Sequence, residues 1–267
     1  MSENGSSKSS LFERFVPILL LISVGLAFGL GYLFKEVSDL KKGSASNTGT
    51  AATTTTTGAQ PAPELSQDQI KETFDKAVVK FGKSNAKTLF IEVADPSCPF
   101  CHIAGGKNPE LAKEVGDRFK YVSDGGTYIP PVPEMKKLVD EGKAAYAFIY
   151  KNGHGNGEMG TKALYCANDI GKFWEVHDKL YTNAGYKLLN EVVINDKTKS
   201  SELTDFLKDV ADTGKLKECI ESDKYDKRLA EDEVIAGEIG ISGTPGFYVN
   251  TKSFAGAYSW KDIEPSI

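Results

Sequence analysis

Arginine is almost missing from this chain. Only Arg14, Arg118 and Arg228 occur, the other basic residues being lysine, and the net charge is −5 over 267 residues. With no basic cluster and an acidic balance there is no footprint for nucleic acid, and the lysine and glutamate surface reads as a solvated one. Histidine and cysteine are equally sparse. His102, His154 and His177 are scattered, and Cys166 and Cys219 each stand alone. A zinc ribbon needs a second Cys-x-x-Cys or a closely spaced His pair, and neither is here. No metal and no other cofactor is expected.

Hydrophobic residues make up 40% and charged residues 26%, enough for one large domain or two small ones. Phe15 to Phe34 is an unbroken run of uncharged, mostly apolar residues. As a helix it would reach about 30 Å, the thickness of a bilayer core. A secretory signal has a shorter apolar region and a small-x-small cleavage site, so an uncleaved anchor over 15–34 is expected after an N-terminal tail, 1–14. Lys8 and Arg14 precede the run while Lys35, Lys41 and Lys42 follow it, against the usual positive-inside bias. Residues 35–65 read as a low-complexity linker, with five threonines from Thr53 to Thr57 and then Pro61-Ala62-Pro63.

The most informative stretch is Asp95-Pro96-Ser97-Cys98-Pro99-Phe100-Cys101-His102. It follows Thr88-Leu89-Phe90-Ile91-Glu92-Val93, a short apolar run suited to a buried strand. Pro99 suits the first position of a helix, since it needs no amide partner there. Cys98 would then sit at a helix N-terminus, where unpaired N–H groups and the dipole favour a thiolate. Thiols so placed ionise at roughly 3.5–7.5, and the thiolate is the reacting species. Cys101, one turn on, can close a disulfide with Cys98. A redox dithiol is the reading adopted; a zinc half-site or two structural cysteines are the alternatives.

Along the rest of the chain, Ser66 caps an expected helix to about Phe81, with Ile70, Phe74, Ala77, Val78 and Phe81 on one face. The helix after Cys98 should break near Gly105, Gly106 and Pro109. Residues 116–134 read as a loop with exposed aromatics, either a surface excursion or a rim that touches a client chain. Pro133–Gly142 reads as a helix and Ala144–Tyr150 as a strand. Helices are then expected over Met159–Asp169 and Gly171–Tyr181, near 200–212 and 215–221, and from Lys224 to Gly240. Trp174 is expected in the core and His177 on a polar face. Gly243-Thr244-Pro245 leads into a strand at Phe247–Val249, a second near Ser253–Tyr258, and a short last helix.

These residues resemble the DsbA-like branch of the thioredoxin superfamily over about residues 83–258. The resemblance rests on Cys98-Pro99-Phe100-Cys101, on Ala163-Leu164-Tyr165-Cys166-Ala167 with Gly171-Lys172-Phe173-Trp174-Glu175, and on Gly240-Ile241-Ser242-Gly243-Thr244-Pro245-Gly246-Phe247. It implies an α/β thioredoxin fold interrupted by a helical insertion, with thioredoxin-like segments over 66–153 and 224–267 and the insertion over 154–223. It implies a cis peptide at Thr244-Pro245, beside the dithiol, whose neighbouring backbone pairs with an extended client. It also implies that Glu92, six residues before Cys98, is the acidic residue beneath the dithiol that exchanges a proton with Cys101. On sequence alone an outward-facing Glu92 is as good a reading. Phe100 and His102 depart from the best-known member, which has His between its cysteines; with Thr244 and Pro245 they are the expected client-contact residues. Similar members carry a second, non-catalytic disulfide, which would pair Cys166 with Cys219; two buried free thiols are the alternative.

The expected function is a membrane-anchored, extracytoplasmic thiol:disulfide oxidoreductase that forms disulfides in unfolded or reduced client polypeptides. The resemblance further implies a DsbB-like membrane partner that reoxidises it. An isomerase or reductase is the alternative within the same chemistry, and a tethered polypeptide-binding module with a structural disulfide is the alternative outside it.

Overall fold

The computed structural model describes residues 65–267. The expected tail at 1–14, span at 15–34 and linker through residue 64 lie outside the described residues. Among the described residues no helix is long and apolar enough to cross a membrane. Leu65, assigned above to the linker, is buried and packs with Ile70 and Phe74.

The apolar run before the dithiol forms β2 (Thr88–Ala94), and every residue of it is buried. It runs parallel to β3 (Ala144–Tyr150) and antiparallel to β4 (Gly246–Val249), with Glu92 opposite Phe148 on one side and Phe247 on the other. Strands β1 (Val79–Phe81) and β5 (Lys252–Ala255) are the edges, and the order is β1-β3-β2-β4-β5. Both sheet faces are covered, which is why β2 and β3 are buried along their whole length and mostly apolar rather than alternating, with Thr88 and Glu92 the polar exceptions in β2. Side chains still alternate between the faces. Leu89, Ile91, Val93, Ala145 and Ala147 share one cluster with α1 (Gln67–Lys76) and the end of α10 (Asp226–Glu238). Phe90, Ala94, Tyr146, Phe148 and Tyr150 share the other with Cys98, Cys101 and the helical insertion. Glu92 is on this second face by period, so the strand points its carboxylate toward the dithiol side.

Strand β1 corrects the expected helix over 66–81. Ser66 and Gln69 cap α1 reciprocally, but the helix ends at Lys76 and Ala77 is extended. Val79 then pairs with Phe148 across the free edge of β3. Consecutive β-branched Val78 and Val79 fit a strand better than a helix, and the unpaired edge supplied the hydrogen bonds that a helix would have made internally.

Chain segments after β2 supply the site's surroundings. Helix α2 (Pro99–Gly105) stops at Gly106, whose φ of 73° is the left-handed conformation that glycine adopts freely. Helices α3 (Pro109–Val115) and α4 (Pro131–Asp140) follow. Between them the 116–134 segment is not the exposed aromatic loop read from sequence. Phe119, Tyr121 and Tyr128 are buried with Ile103 and Ala112, and the Tyr121 hydroxyl donates to the Ile103 carbonyl at 3.2 Å. A Tyr121–Tyr128 bridge folds the segment back on itself, which turns its rings inward.

The insertion comprises α5 (Glu158–Asp169), α6 (Phe173–Leu180), α7 (Asn183–Lys187), a π-helical turn Leu188–Val193, α8 (Ser200–Phe206) and α9 (Thr213–Glu221). Cys166 on α5 and Cys219 on α9 form a disulfide, with Cα atoms 5.8 Å apart. Trp174 is half-buried, its ring 5.3 Å from Phe81 and 5.1 Å from Tyr146. His177 is not on a polar face: it is fully buried, stacked at 4.0 Å on Tyr181. Its apolar neighbours Phe173 and Trp174 hold the ring inward. The chain closes with β4, β5 and α11 (Trp260–Ile263), capped by Ser259 and Asp262.

Candidate active site

The site is built where β2 ends. Asp95 turns the chain: its Oδ1 accepts from the Ser97 amide and hydroxyl, each at 2.7 Å, and its Oδ2 accepts from the Gly153 and His154 amides at 2.8 Å. A short acidic side chain bonding to the amide two residues on is an Asx turn. It delivers Cys98 as the N-cap of α2, with Pro99 at the first helical position. By holding the start of 153–157 as well, Asp95 ties the loop after β3 to the dithiol loop.

Cys98 and Cys101 are both free thiols, and both are buried, Cys98 with 4% exposure and Cys101 with none. Their acidities are driven apart. A hydrogen bond from the Cys101 thiol, opposed by burial but helped by the Thr244 side chain and by the Cys101 and Phe100 amides, brings Cys98 down to about 7. Burial first, and the interaction with Cys98 second, push Cys101 well above the ordinary thiol value. The arrangement holds one sulfur ready to ionise and the other as its proton-bearing donor. Cys98 Sγ also lies 3.4 Å from the Thr244 carbonyl oxygen, to which its thiol donates.

Thr244-Pro245 is a cis peptide bond. Ser242 and Gly243 before it are exposed, Thr244 is half-buried and Pro245 is buried. Gly153 packs so closely on Thr244 that a Cβ there would fall 1.8 Å from the Thr244 hydroxyl oxygen. Sequence reasoning passed over Asp95 and Gly153; the Asx-turn pattern Asp95-Pro96-Ser97 was the legible signal for the first, and nothing in the sequence marked the second.

Glu92 has no exposure, and by the strand period it lies on the sheet face that packs with Cys98 and Cys101. Burial raises its carboxyl to about 7, against a lowering hydrogen bond from the Tyr146 hydroxyl to its Oε2. Its charge acts in turn to raise Cys101. Phe100 is 40% exposed and packs 5.6 Å from Phe119, so it stands at the surface beside the pair. His102 does not. Grouped above with client-contact residues, it is fully buried, its Nε2 2.7 Å from the Pro96 carbonyl and its Nδ1 3.0 Å from the Tyr181 carbonyl. Helical spacing explains the difference: one position past Cys101, the side chain turns under α2 and stacks on Tyr181. Burial holds this imidazole down at about 4, so it is neutral. Asn190 of the π-helical turn donates to the Ser97 carbonyl at 3.1 Å, joining the insertion to the dithiol loop.

This geometry is a five-stranded thioredoxin-type sheet with a dithiol at the end of its central strand, a cis-proline loop beside it, and an inserted helical layer. Residues 133–267, about half of the chain, match the sequence model of the thioredoxin family, and the chain belongs to that family. Two solved structures share the wider fold. BdbD from Bacillus subtilis, in its oxidised form, superposes with a TM-score of 0.54 at 20% identity, covering 72% of this chain and 91% of that one. The α-DsbA1 protein of Wolbachia pipientis gives 0.51 at 18%, covering 70% and 86%. Among curated proteins, the Na(+)/H(+) antiporter NhaA 3 of Salinispora tropica is 24% identical over 189 residues, 70% of this chain. The chain spans about a quarter of that protein, as it does of NhaA 1 from Salinispora arenicola.

Proposed function

We propose that the protein is a thiol:disulfide oxidoreductase acting on client polypeptides through Cys98 and Cys101, and that it forms disulfides in them. The observation that carries this is the split between the two sulfurs: one at the N-terminal end of α2 that ionises at about 7, one behind it that holds its proton. In the oxidised form a client thiolate attacks Cys98 Sγ. The Cys98–Cys101 bond breaks, a client–Cys98 bond forms, and Cys101 departs as a thiolate that takes a proton from Glu92. A second client thiolate then attacks the client sulfur of the mixed disulfide. Cys98 leaves as thiolate, the client is oxidised by two electrons, and the dithiol is reduced by two. A more acidic leaving thiol speeds such a release. The exposed backbone at Ser242-Gly243 and the ring of Phe100 frame Cys98, and an extended client pairing there would bring its sulfur to Cys98.

Reoxidation would fall to a membrane partner of the DsbB kind. The apolar run at 15–34, the linker after it and the Cys166–Cys219 bond, which suits an oxidising compartment, support a single-pass anchor with the catalytic domain outside the cytoplasm. Selective labelling of a cysteine introduced in the linker, from one side of intact cells or vesicles, tests that placement.

One observation favours a second reading. A Cys98 at about 7 is only moderately acidified for a helix-terminal thiol, within a range of roughly 3.5–7.5. A less stabilised thiolate makes a less oxidising couple, as in a reductase or isomerase. Equilibration with glutathione decides between them. A potential well above about −230 mV supports client oxidation, and one near about −270 mV, where thioredoxin sits, replaces it with reduction. A Cys98→Ser variant as active as the native protein in both client oxidation and insulin reduction would end the enzymatic reading.

A further inference from the structure

Glu92 is held from one side only. Its Oε2 accepts the Tyr146 hydroxyl, and its Oε1 is buried with no hydrogen-bond partner. A buried carboxylate oxygen left unpaired is costly and calls for an explanation. The titratable groups within electrostatic reach are Tyr146 from β3, Cys101 from α2 and Tyr181 from the end of α6. Strand β4 sets the apolar Phe247 opposite Glu92. Among the described residues no lysine or arginine makes an ion pair with the carboxylate, and the phenol is the polar group that fixes its orientation.

We infer that Tyr146 is the positioning residue for Glu92: its hydroxyl anchors Oε2, and the free Oε1 is the atom that exchanges a proton with Cys101. This rests on the proton-exchange role given to Glu92 above. In the direction that resolves a mixed disulfide, the Cys101 thiol gives its proton to Glu92 Oε1. Its sulfur attacks Cys98 Sγ, the Cys98–client bond breaks, and the client departs as a thiolate. The phenol keeps its own proton throughout, as burial and the facing carboxylate push its ionisation well above the ordinary range. By donating to the charged carboxylate and stabilising it over the neutral acid, Tyr146 keeps more of Glu92 ready to accept a proton at neutral pH.

The test follows release of a fluorescent peptide from its mixed disulfide with Cys98 as a function of pH, in full-length protein. Tyr146→Phe should move the midpoint of the pH–rate profile upward by about one unit, the tenfold effect expected of one hydrogen bond to a charged group. In a Glu92→Gln background the same substitution should move nothing. If Glu92→Gln alone leaves the native profile unchanged, the proton role of Glu92 fails. If Glu92→Gln abolishes the inflection but Tyr146→Phe leaves it in place, the role stands and the positioning by Tyr146 is wrong. Should Tyr146→Phe not fold, 2,3-difluorotyrosine at 146 is nearly isosteric and a stronger donor. It should move the midpoint downward, and an unmoved or raised midpoint overturns the inference.

Discussion

The hydroxyl oxygen of Thr244 stands where a Cβ on Gly153 would have to go, 1.8 Å from that position. Two loops from opposite sides of the central strand therefore meet without a side chain between them, and the cis-proline loop is set against Cys98 by that contact. The amide of the same Gly153 donates to Asp95. One backbone position thus fixes both the dithiol loop and the loop beside it.

Gly153→Ala should push Thr244 away from Cys98. Misplacement of a reacting group by about 1 Å costs up to about 100-fold in rate, so the proposed client oxidation should fall by about 10–100-fold. Thermal stability should change much less, because Gly153 is exposed and Thr244 only half-buried. Stopped-flow oxidation of a two-cysteine peptide, with melting followed in parallel, separates the two effects. A variant as fast as native protein would mean that Thr244 is held by something else.

Thiolate absorbance in the reduced protein should titrate once near pH 7, from Cys98. Cys101→Ala removes the hydrogen bond that contributes most to that acidity, and the midpoint should rise by about a unit or more. Linkage gives a second readout. Because Cys98 is lowered from 9.0 in the folded state, its stabilisation is complete above pH 9.0 and is lost as pH falls through about 7. Reduced native protein should therefore gain roughly 2–3 kcal/mol over Cys98→Ser between those limits, an upper figure. Equal urea midpoints across the window would contradict it.

His102 titrates near 4 when folded and near 6.5 when unfolded. The unfolded chain binds more protons between those values, so stability is full above pH 6.5 and declines as pH falls through about 4. His102→Leu loses the Pro96 hydrogen bond and should be less stable near neutral pH, by about 1–2 kcal/mol. Its stability should also fall less steeply over pH 6.5 to 4 than that of the native protein. Parallel urea curves at several pH values would show an unchanged slope if the imidazole were already charged in the fold.

Gly105→Ala would place a Cβ 2.4 Å from Cδ1 of Tyr181. That ring cannot retreat easily, being stacked between His102 at 4.9 Å and His177 at 4.0 Å. Overpacking of this kind costs about 1–3 kcal/mol, and calorimetry should record a lower Tm. A gain in stability from the better helix-forming residue would mean that the three rings shift together.

Much of the scaffold was legible because its signals are local. Strand β3 runs over Ala144–Tyr150, the span its apolar run suggested, and the helix after Cys98 breaks at Gly106, where glycine takes its left-handed conformation. Strand β1 was not legible, since three residues after a helix become a strand only when the edge of β3 arrives to pair with them. The α7 and π-helical stretch was missed for a different reason: Asn183-Ala184-Gly185-Tyr186 shows no apolar period, and the Asn190 contact with the dithiol loop is long-range. At the site, the Cys98-Pro99-Phe100-Cys101 spacing announces its chemistry. Whether Glu92 faces in or out depends on which sheet face α2 covers, and the partnership with Tyr146 depends on strand register.

The bond between Cys166 and Cys219 joins α5 to α9, far along the chain from the dithiol. Its quieter consequence is stoichiometric. Of the four cysteines in the sequence, only Cys98 and Cys101 remain as thiols. In the proposed reaction each electron pair accepted or donated would pass through those two sulfurs, with no internal third thiol to intercept a trapped client or scramble the couple.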